Sequence, residues 1–322
     1  RFLDALEVVT DPEKKRRIIG DTFIDVFRDE AGRLDLHGCL LAQGTIYPDT
    51  IETGGTKRAD VIKTHHNRIP VIQEMIEQGL VIEPLAELYK VEVRELGETL
   101  ELPEEMVWRH PFPGPGLGIR LLCSDGVVAE PEKIPESRKA LETLFSGTGI
   151  AGAVLPVRSV GVKADLRSYE HPVMLWGEIP MEQAESIAAR VFQKVPGVNR
   201  CVVDLRMRGV KQTRLLAATV TRDRLDLLRE ADAIVMDGLR RHGLYRTVWQ
   251  CPTVFVPLEI DGRGSEFVVI RPVLSERAMT ARPALLPREV LADLRDRILE
   301  LPRISGVAVD ITTKPPGTIE WE

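Results

Sequence analysis

Two nearby stretches of the chain combine side chains that can bind and transfer charged groups. Asp49 and Glu52 lie three residues apart in a polar stretch, and paired carboxylates can hold Mg²⁺. Lys63, His65 and His66 follow, and cationic donors of this kind can stabilise the charge that develops on a transferred phosphate group. Taken alone, the carboxylates fit a solvated turn equally well, and the cationic residues fit a polar surface loop.

Three polar residues elsewhere in the chain are candidates for binding a ligand. Arg16 lies in a Lys-Arg-Arg stretch, and a guanidinium fork suits oxyanions. Asp165 can accept hydrogen bonds, and Gln250 can both donate and accept them. Each residue also has a purely structural interpretation. Arg16 would be a solvent-facing charge on a helix, Asp165 would form an Asx turn, and Gln250 would be a polar residue at a strand edge.

The most distinctive local motif runs from Lys314 to Glu322. Its Pro-Pro-Gly sequence restricts the backbone, which leaves Lys314 and the following amides to receive a phosphate. Glu320 can accept hydrogen bonds from a base, and Trp321 can anchor the segment. The alternative interpretation is a frayed chain end.

The composition is that of an ordinary globular protein. The chain has 322 residues, of which 43% are hydrophobic, and a net charge of −6. Its length suggests two or three domains, and its acidity disfavours a general binder of nucleic acids or membrane surfaces. No apolar stretch approaches about 18 residues, so no transmembrane helix is expected. The four cysteines are far apart, which argues against zinc and disulfide frameworks and favours a cytoplasmic location.

The first third of the chain alternates helix and strand signals. Apolar residues recur at helical spacing after Pro12, and Cys39–Ala42 is expected to form a buried strand. Pro84 is expected to begin a further helix. This alternation predicts a three-layer α/β domain. The loop from His110 to Gly116 is rich in proline and glycine, and either connects domains or contacts a substrate.

The rest of the chain contains an internal repeat of strand, strand, helix and strand. The matching pairs are Val154–Val157 with Val254–Leu258, His171–Leu175 with Phe267–Ile270, Met181–Gln193 with Pro287–Leu299, and Val195–Asp204 with Leu301–Asp310. Such a unit is too small to cover its own sheet, so the two copies should pair. Between them, Arg222–His242 is expected to form one amphipathic helix.

The two copies have diverged in complementary ways. The first keeps a polar hairpin from Val160 to Tyr169, whereas the second keeps the Lys314–Glu322 motif. A symmetric ancestor would have two equivalent sites at the interface between the copies. Because each copy has lost a different half of such a site, one composite site is expected to survive. Drift at an unneeded site explains the difference equally well.

Five segments taken together resemble glutamine-hydrolysing GMP synthetase over nearly the whole chain. They are Lys15–Phe23 (KRRIIGDTF), Leu41–Glu52 (LAQGTIYPDTIE), Ile62–Asn67 (IKTHHN), Arg109–Arg120 (RHPFPGPGLGIR) and Lys314–Glu322 (KPPGTIEWE). The duplicated module is similar to that of the longer, eukaryotic-type members. The resemblance implies part of an ATP pyrophosphatase domain, of the adenine-nucleotide α-hydrolase-like type, at 1–122. Two α+β dimerisation-type repeats then follow at 123–218 and 219–322.

The resemblance also implies an activity, in which XMP is adenylated by ATP and ammonia then displaces AMP to give GMP. On this basis Lys63, His65 and His66 would be catalytic, and Asp49 and Glu52 would hold Mg²⁺. XMP would be bound by five residues, namely Arg16, Asp165, Gln250, Lys314 and Glu320. Ammonia would come from a glutaminase domain or subunit, because no amidotransferase motif is found in the sequence. The phosphate-loop motif that family members use to hold ATP is not found in it either.

The two repeats are expected to pack as a pseudo-dimer within one chain, and the chain can also form a homodimer. Two other classes of function stay open from the sequence. The first is a nucleotide-binding or assembly module without catalysis. The second is an RNA binder, which the acidic charge and the lack of aromatic residues interleaved on the strands disfavour.

Overall fold

The computed structural model of the chain describes residues 1–33, 39–47, 75–163, 166–275 and 280–322. Within these ranges the chain forms two compact units. The first unit contains Arg1–Ile19 and His110–Glu322, and the second contains Gly20–Arg109. The loop that begins at His110 therefore starts where the second unit ends, as expected for a connector.

The described part of the chain contains both helices and strands. The helices are α1 (Phe2–Leu6), α2 (Pro12–Arg33), α3 (Lys90–Thr99), α4 (Glu104–Val107), α5 (Ile134–Phe145), α6 (Ala184–Lys194), α7 (Arg222–Arg241) and α8 (Arg288–Leu299). The strands are β1 (Leu41–Ala42), β2 (Val81–Ile82), β3 (Ser124–Asp125), β4 (Ile150–Val154), β5 (Ser159–Lys163), β6 (Leu166–Gly177), β7 (Val198–Asp204), β8 (Thr213–Leu215), β9 (Ala217–Ala218), β10 (Thr253–Val256), β11 (Leu258–Ile260), β12 (Glu266–Ile270), β13 (Val273–Leu274), β14 (Arg282–Pro283) and β15 (Ile304–Asp310).

A seven-stranded mixed sheet forms the centre of the first unit, in the order β10-β12-β15-β7-β6-β4, with β5 paired to β6. Each half repeats one pattern, because β4/β6 and β10/β12 are antiparallel whereas β6/β7 and β12/β15 are parallel. The antiparallel pair β7/β15 joins the halves, with Val309 opposite Val203. The strand–strand–helix–strand pattern predicted from the sequence therefore occurs twice within one sheet.

Alternate residues of the central strands enter two different hydrophobic clusters. Val203 and Val309 belong to the cluster that includes helix residues such as Leu141 and Leu294. Their neighbours Val202 and Ala308 belong to a second cluster, which contains Trp321. Because successive side chains of a strand point to opposite faces, the helices cover one face and the C-terminal segment contributes to the cover of the other.

The second unit contains the parallel strand pair β1/β2 and the helices α3 and α4. Two sequence predictions need correction here. The helix expected from Pro84 begins at Lys90, because the Glu92 carboxylate accepts the Tyr89 backbone N–H at 2.6 Å and caps the first turn. The strand expected at Cys39–Ala42 is only Leu41–Ala42, and Leu40 is 53% exposed rather than buried.

The fold class expected from the sequence is confirmed as a mixed α/β protein with sheet-containing repeats. The two repeat helices, α6 and α8, lie within three residues of their predicted spans. The helix α7 ends at Arg241, one residue before the predicted end. No helix within the described ranges is long and apolar enough to cross a membrane.

Candidate functional site

The C-terminal segment, defined here as residues 311–322, is buried within the first unit. Trp321 is completely buried and Glu322 is 3% exposed. The segment lies alongside β5 and is hydrogen-bonded to it. Val162 N–H donates to Pro316 O at 2.7 Å, and Val160 N–H donates to Trp321 O at 2.9 Å. The interpretation of Lys314–Glu322 as a frayed end is therefore wrong.

A buried cluster of charges lies beneath the segment. Asp310 accepts hydrogen bonds from Arg200 Nη1 at 3.1 Å and from Trp321 Nε1 at 2.8 Å, and it forms an ion pair with Arg271 Nη1 at 2.9 Å. Both arginines and the aspartate are fully buried. Burial alone would raise the pKa of Asp310, but the positive charges of Arg271 and Arg200 hold it below its ordinary value.

The same two arginines also hold the backbone of the segment. Arg200 Nη2 donates to Glu320 O at 2.7 Å, and Arg271 Nε donates to Ile319 O at 2.9 Å. These bonds help to satisfy the backbone carbonyl groups of the segment. Arg200 comes from the first repeat and Arg271 from the second, so both copies are required to fix the segment.

The side chain of Glu320 lies at the centre of a second polar cluster. Both of its carboxylate oxygens accept hydrogen bonds from the Arg120 guanidinium. Arg120 Nη2 donates to Oε1 at 3.1 Å, and Arg120 Nε donates to Oε2 at 3.2 Å. Gln250 Nε2 also donates to Oε1, at 2.9 Å. Asp232 Oδ1 lies 3.8 Å from Arg120 Nη1. Burial raises the pKa of Asp232, and the charge of Arg120 partly opposes that rise.

The start of α2 packs against both the segment and the β5/β6 hairpin. Lys15 is completely buried, forms an ion pair with Glu322 and donates to Leu121 O at 2.8 Å. Burial raises the pKa of Glu322, while Lys15 acts to lower it. One turn of this helix thereby fixes the end of the segment.

Glu13 connects the same helix to the hairpin. Its Oε1 accepts from Arg167 Nη1 at 2.5 Å, from Tyr169 OH at 2.6 Å and from Arg16 Nη1 at 3.3 Å. Despite the opposing effect of burial, the hydrogen bonds of Tyr169 and Arg167 lower the pKa of Glu13. The predicted ligand residue Arg16 therefore lies among other cationic and hydrogen-bonding groups.

The structure brings together some of the site residues predicted from the sequence. Gln250 and Glu320 are in direct hydrogen-bonding contact, and Lys314 lies in the same segment, where its backbone N–H donates to Ala281 O at 2.8 Å. Arg16 follows Lys15, which pairs with the last residue of the segment. The other predicted residues lie outside the described ranges, namely Asp49, Glu52, Lys63, His65, His66 and Asp165.

Two residues that pair with carboxylates of the C-terminal segment, Lys15 and Arg120, were missed by the sequence analysis. Both lie inside the motifs that carry the family resemblance, which was the available signal. Their partners are 307 and 200 residues away in the chain, so local patterns could not reveal the pairing. The described ranges hold no group of three or more His, Cys, Asp or Glu side chains arranged to bind a metal ion.

The close approach of the hairpin to the segment requires glycine at position 161. A Cβ atom at Gly161 would lie 2.6 Å from Pro316 O and 2.8 Å from Asn199 Nδ2. We expect Gly161→Ala to lower the free energy of unfolding by about 1–3 kcal/mol, as overpacking does. Urea denaturation would measure this loss. Gly44→Ala is the matched control, because its Cβ would meet nothing within 4 Å; equal losses in both variants would contradict the prediction.

Comparison with known proteins agrees with this architecture. Residues 237–321 match the family model described as the GMP synthase C terminal domain. The whole chain aligns with a probable glutamine-hydrolyzing GMP synthase of Leptospira interrogans, at 43% identity over 330 residues and 53% of that protein's length. The chain is homologous to the GMP synthases. The resemblance found in the sequence motifs is thereby confirmed.

Other GMP synthases also align with nearly all of this chain, at lower identity. The protein of Thermobifida fusca is 37% identical over 337 residues, which cover 100% of this chain and 46% of that protein. The protein of Dictyostelium discoideum is 32% identical over 370 residues, which cover 98% of this chain and 52% of that protein. The chain spans about half the length of the GMP synthases that it matches.

Proposed function

We propose that this chain carries the XMP-binding and dimerisation-type portion of a GMP synthase. In the reaction that its relatives' name implies, ATP adenylates XMP at the 2-oxygen of the base. Ammonia then displaces AMP to give GMP, and pyrophosphate is the other product. The enzyme is a ligase that forms a C–N bond, and we propose a cytoplasmic location for it.

The direct contact between Gln250 and Glu320 is the observation that carries this proposal. Two residues that the sequence analysis assigned to XMP, 70 residues apart in the chain, are hydrogen-bonded neighbours at 2.9 Å. Glu320 belongs to a segment whose backbone is fixed by Arg200 and Arg271. A fixed set of polar groups of this kind can orient a ligand at little entropic cost.

The matching halves of the central sheet support a pseudo-dimer within the chain. The β5/β6 hairpin of the first repeat lies against the C-terminal segment of the second, with Gly161 opposite Gly317. An XMP site built from Arg16, Asp165, Gln250, Lys314 and Glu320 would then be mostly intramolecular. The domain boundaries after residues 122 and 218 belong to the same proposal, and a homodimer of whole chains is compatible with it.

The remaining parts of the reaction are proposed from the sequence motifs alone. ATP would react in the pyrophosphatase portion, with Lys63, His65 and His66 as catalytic residues. Mg²⁺ would be held by Asp49 and Glu52, whose carboxylates are suited to that ion. Ammonia would be delivered by a glutaminase domain or subunit. All five of these residues lie outside the described ranges.

Calorimetric titration of the chain with XMP tests the proposal. We expect saturable binding of one XMP per chain and weaker binding of IMP. Lys314→Ala should weaken XMP binding about 10- to 100-fold, because a hydrogen bond to a charged group is worth roughly 1.5–3 kcal/mol.

Lys139→Ala is the matched control, since Lys139 is an exposed residue of α5 and alanine favours helix. It should bind XMP like the wild-type chain. Absence of any XMP binding by folded wild-type chain would overturn the proposal and favour an assembly module. Equal weakening in both lysine variants would remove Lys314 from the site.

A further inference from the structure

The side chain of Glu320 is held by an arginine that no sequence motif assigns to a ligand. Arg120 is 3% exposed, whereas the Glu320 side chain is 15% exposed and so retains access to solvent. The guanidinium contacts both carboxylate oxygens, at 3.1 and 3.2 Å. This bidentate geometry restricts both the position and the plane of the carboxylate.

Arg120 is itself fixed from several sides. It is the last residue of a short 3₁₀ helix, Gly116–Arg120, between the buried Ile119 and Leu121. The Phe112 ring centroid lies 4.8 Å from its Cζ, a distance at which cation and ring attract. Asp232 Oδ1 lies 3.8 Å from Nη1. The guanidinium is therefore placed between two carboxylates.

The backbone that carries Glu320 is fixed as well. Arg200 Nη2 donates to Glu320 O at 2.7 Å, and the next residue, Trp321, accepts the Val160 N–H at 2.9 Å. Since main chain and carboxylate are both restrained, few rotamers of Glu320 keep the pair with Arg120. The side chain is thus prepared for a ligand before the ligand arrives.

The hydrogen bonds leave one part of the carboxylate free. A carboxylate offers about four acceptor positions, two on each oxygen. Oε1 accepts from both Arg120 and Gln250, whereas Oε2 accepts only from Arg120 within the described ranges. Oε2 can therefore accept one further hydrogen bond, and an N–H group of a purine base is a donor of the right kind.

We propose that Arg120 is the positioning residue of the nucleotide site, and that it holds Glu320 so that Oε2 receives an N–H donor of the bound base. This inference rests on the proposed role of Glu320 in binding XMP. Arg120 itself makes no contact with the nucleotide. Its effect on binding should therefore disappear when the carboxylate of Glu320 is absent.

A double-mutant cycle measured by calorimetry with XMP tests this dependence. Glu320→Ala and Arg120→Met should each weaken XMP binding at least about tenfold. The double variant should bind within about twofold of Glu320→Ala, because residues that act through one another are not additive. Arg120→Lys should bind with intermediate affinity, since a lysine cannot span both oxygens.

Arg224→Met is the matched control for losing a buried bidentate pair. Arg224 Nε and Nη2 donate to the two oxygens of Glu266 at 2.6 and 2.9 Å. This variant should be less stable, yet its folded fraction should bind XMP within about twofold of wild type. Thermal unfolding of each variant identifies the temperature at which it is folded for the titrations.

The outcomes separate the inference from the proposed function. Wild-type affinity in Glu320→Ala would overturn the role of Glu320 itself. Loss in Glu320→Ala with wild-type affinity in Arg120→Met would overturn only the role of Arg120. Additive losses in the double variant, or wild-type affinity in Arg120→Lys, would also overturn it. Should Arg120→Met not fold, the cycle run with Arg120→Lys decides by the same criterion.

Discussion

Replacement of Asp310 by asparagine should lower the free energy of unfolding by about 3–5 kcal/mol, because it leaves buried charge without compensation. The aspartate is the shared counter-charge of Arg200 and Arg271, and all three side chains are fully buried. An uncharged amide cannot balance two guanidinium groups. It can still accept one hydrogen bond, so the loss reports mainly the charge.

Urea denaturation of the wild-type and variant chains at neutral pH would measure this effect. Asp237→Asn is the matched control, since Asp237 is 48% exposed and pairs with Arg297 at 2.8 Å near the surface. Surface ion pairs contribute little, so that variant should unfold at nearly the wild-type urea concentration. A similarly small change in both variants would show that Asp310 is not needed as a counter-charge.

The same residue predicts how acid affects stability. Although burial opposes the shift, Arg271 and Arg200 hold the pKa of Asp310 below its ordinary value. A carboxyl group with a lowered pKa contributes stability fully above the unfolded pKa of about 3.9, and loses it as pH falls through the folded value. The stability difference between wild type and Asp310→Asn should therefore shrink below about pH 4. A difference that stays constant down to pH 2 would contradict this explanation.

Trp321→Ala should be about equally damaging, with an expected loss of about 3–5 kcal/mol for removal of a large buried aromatic side chain. Trp321 packs in the second hydrophobic cluster, against one face of the sheet. Its Nε1 donates to Asp310 Oδ2 at 2.8 Å, and the Arg200 guanidinium lies 5.0 Å from its ring centroid. The variant should also lose XMP affinity, because the adjacent Glu320 would no longer be fixed.

Trp321→Phe separates packing from hydrogen bonding. Phenylalanine retains most of the apolar contact but has no N–H for Asp310, so the expected loss is only about 1–2 kcal/mol. Thermal unfolding and XMP titration would be measured on both variants. Wild-type stability and affinity in Trp321→Ala would show that the C-terminal segment does not depend on its buried tryptophan.

The repeated half of the fold could be predicted from the sequence because its signals are local. The helices α6 and α8 have apolar positions at helical spacing, and β7 and β15 each follow a turn, at Pro196-Gly197 and Pro302-Arg303 respectively. Two copies of one pattern in the same chain also reinforce each other. The match between predicted and observed elements is therefore best in the helices α6, α7 and α8 and in the strands β7 and β15.

The less accurate predictions concern features that depend on neighbours in space. Pro84 was a plausible helix start, but the hydrogen bond between Tyr89 and Glu92 selected a later one. Leu40 lies in an apolar run, yet it is exposed, because periodicity does not report which side of a short strand is covered. Local sequence cannot supply this information.

The candidate site shows the same limit. The residue types at Gln250 and Glu320 suggested ligand binding, but only the fold shows that they touch. Arg120 and Lys15 are ordinary charged residues by sequence, and neither would be expected to be buried. Their roles depend on partners contributed by a distant segment, which is why local patterns did not predict them.

The pairing of Arg200 with Asp310 has a consequence for protein synthesis. The first repeat contains Arg200, whose partner Asp310 lies 110 residues later in the chain. It also contains β5, whose hydrogen-bonding partners in the C-terminal segment lie about 160 residues later. At about 5–20 residues per second, a ribosome needs roughly 5–20 s to reach Asp310 and about 10–30 s to reach Trp321. During that interval Arg200 has no Asp310 to pair with, and β5 lacks the backbone groups of the C-terminal segment. Because a charge without a partner is costly to bury, the first repeat can complete this packing only after the second repeat has been translated.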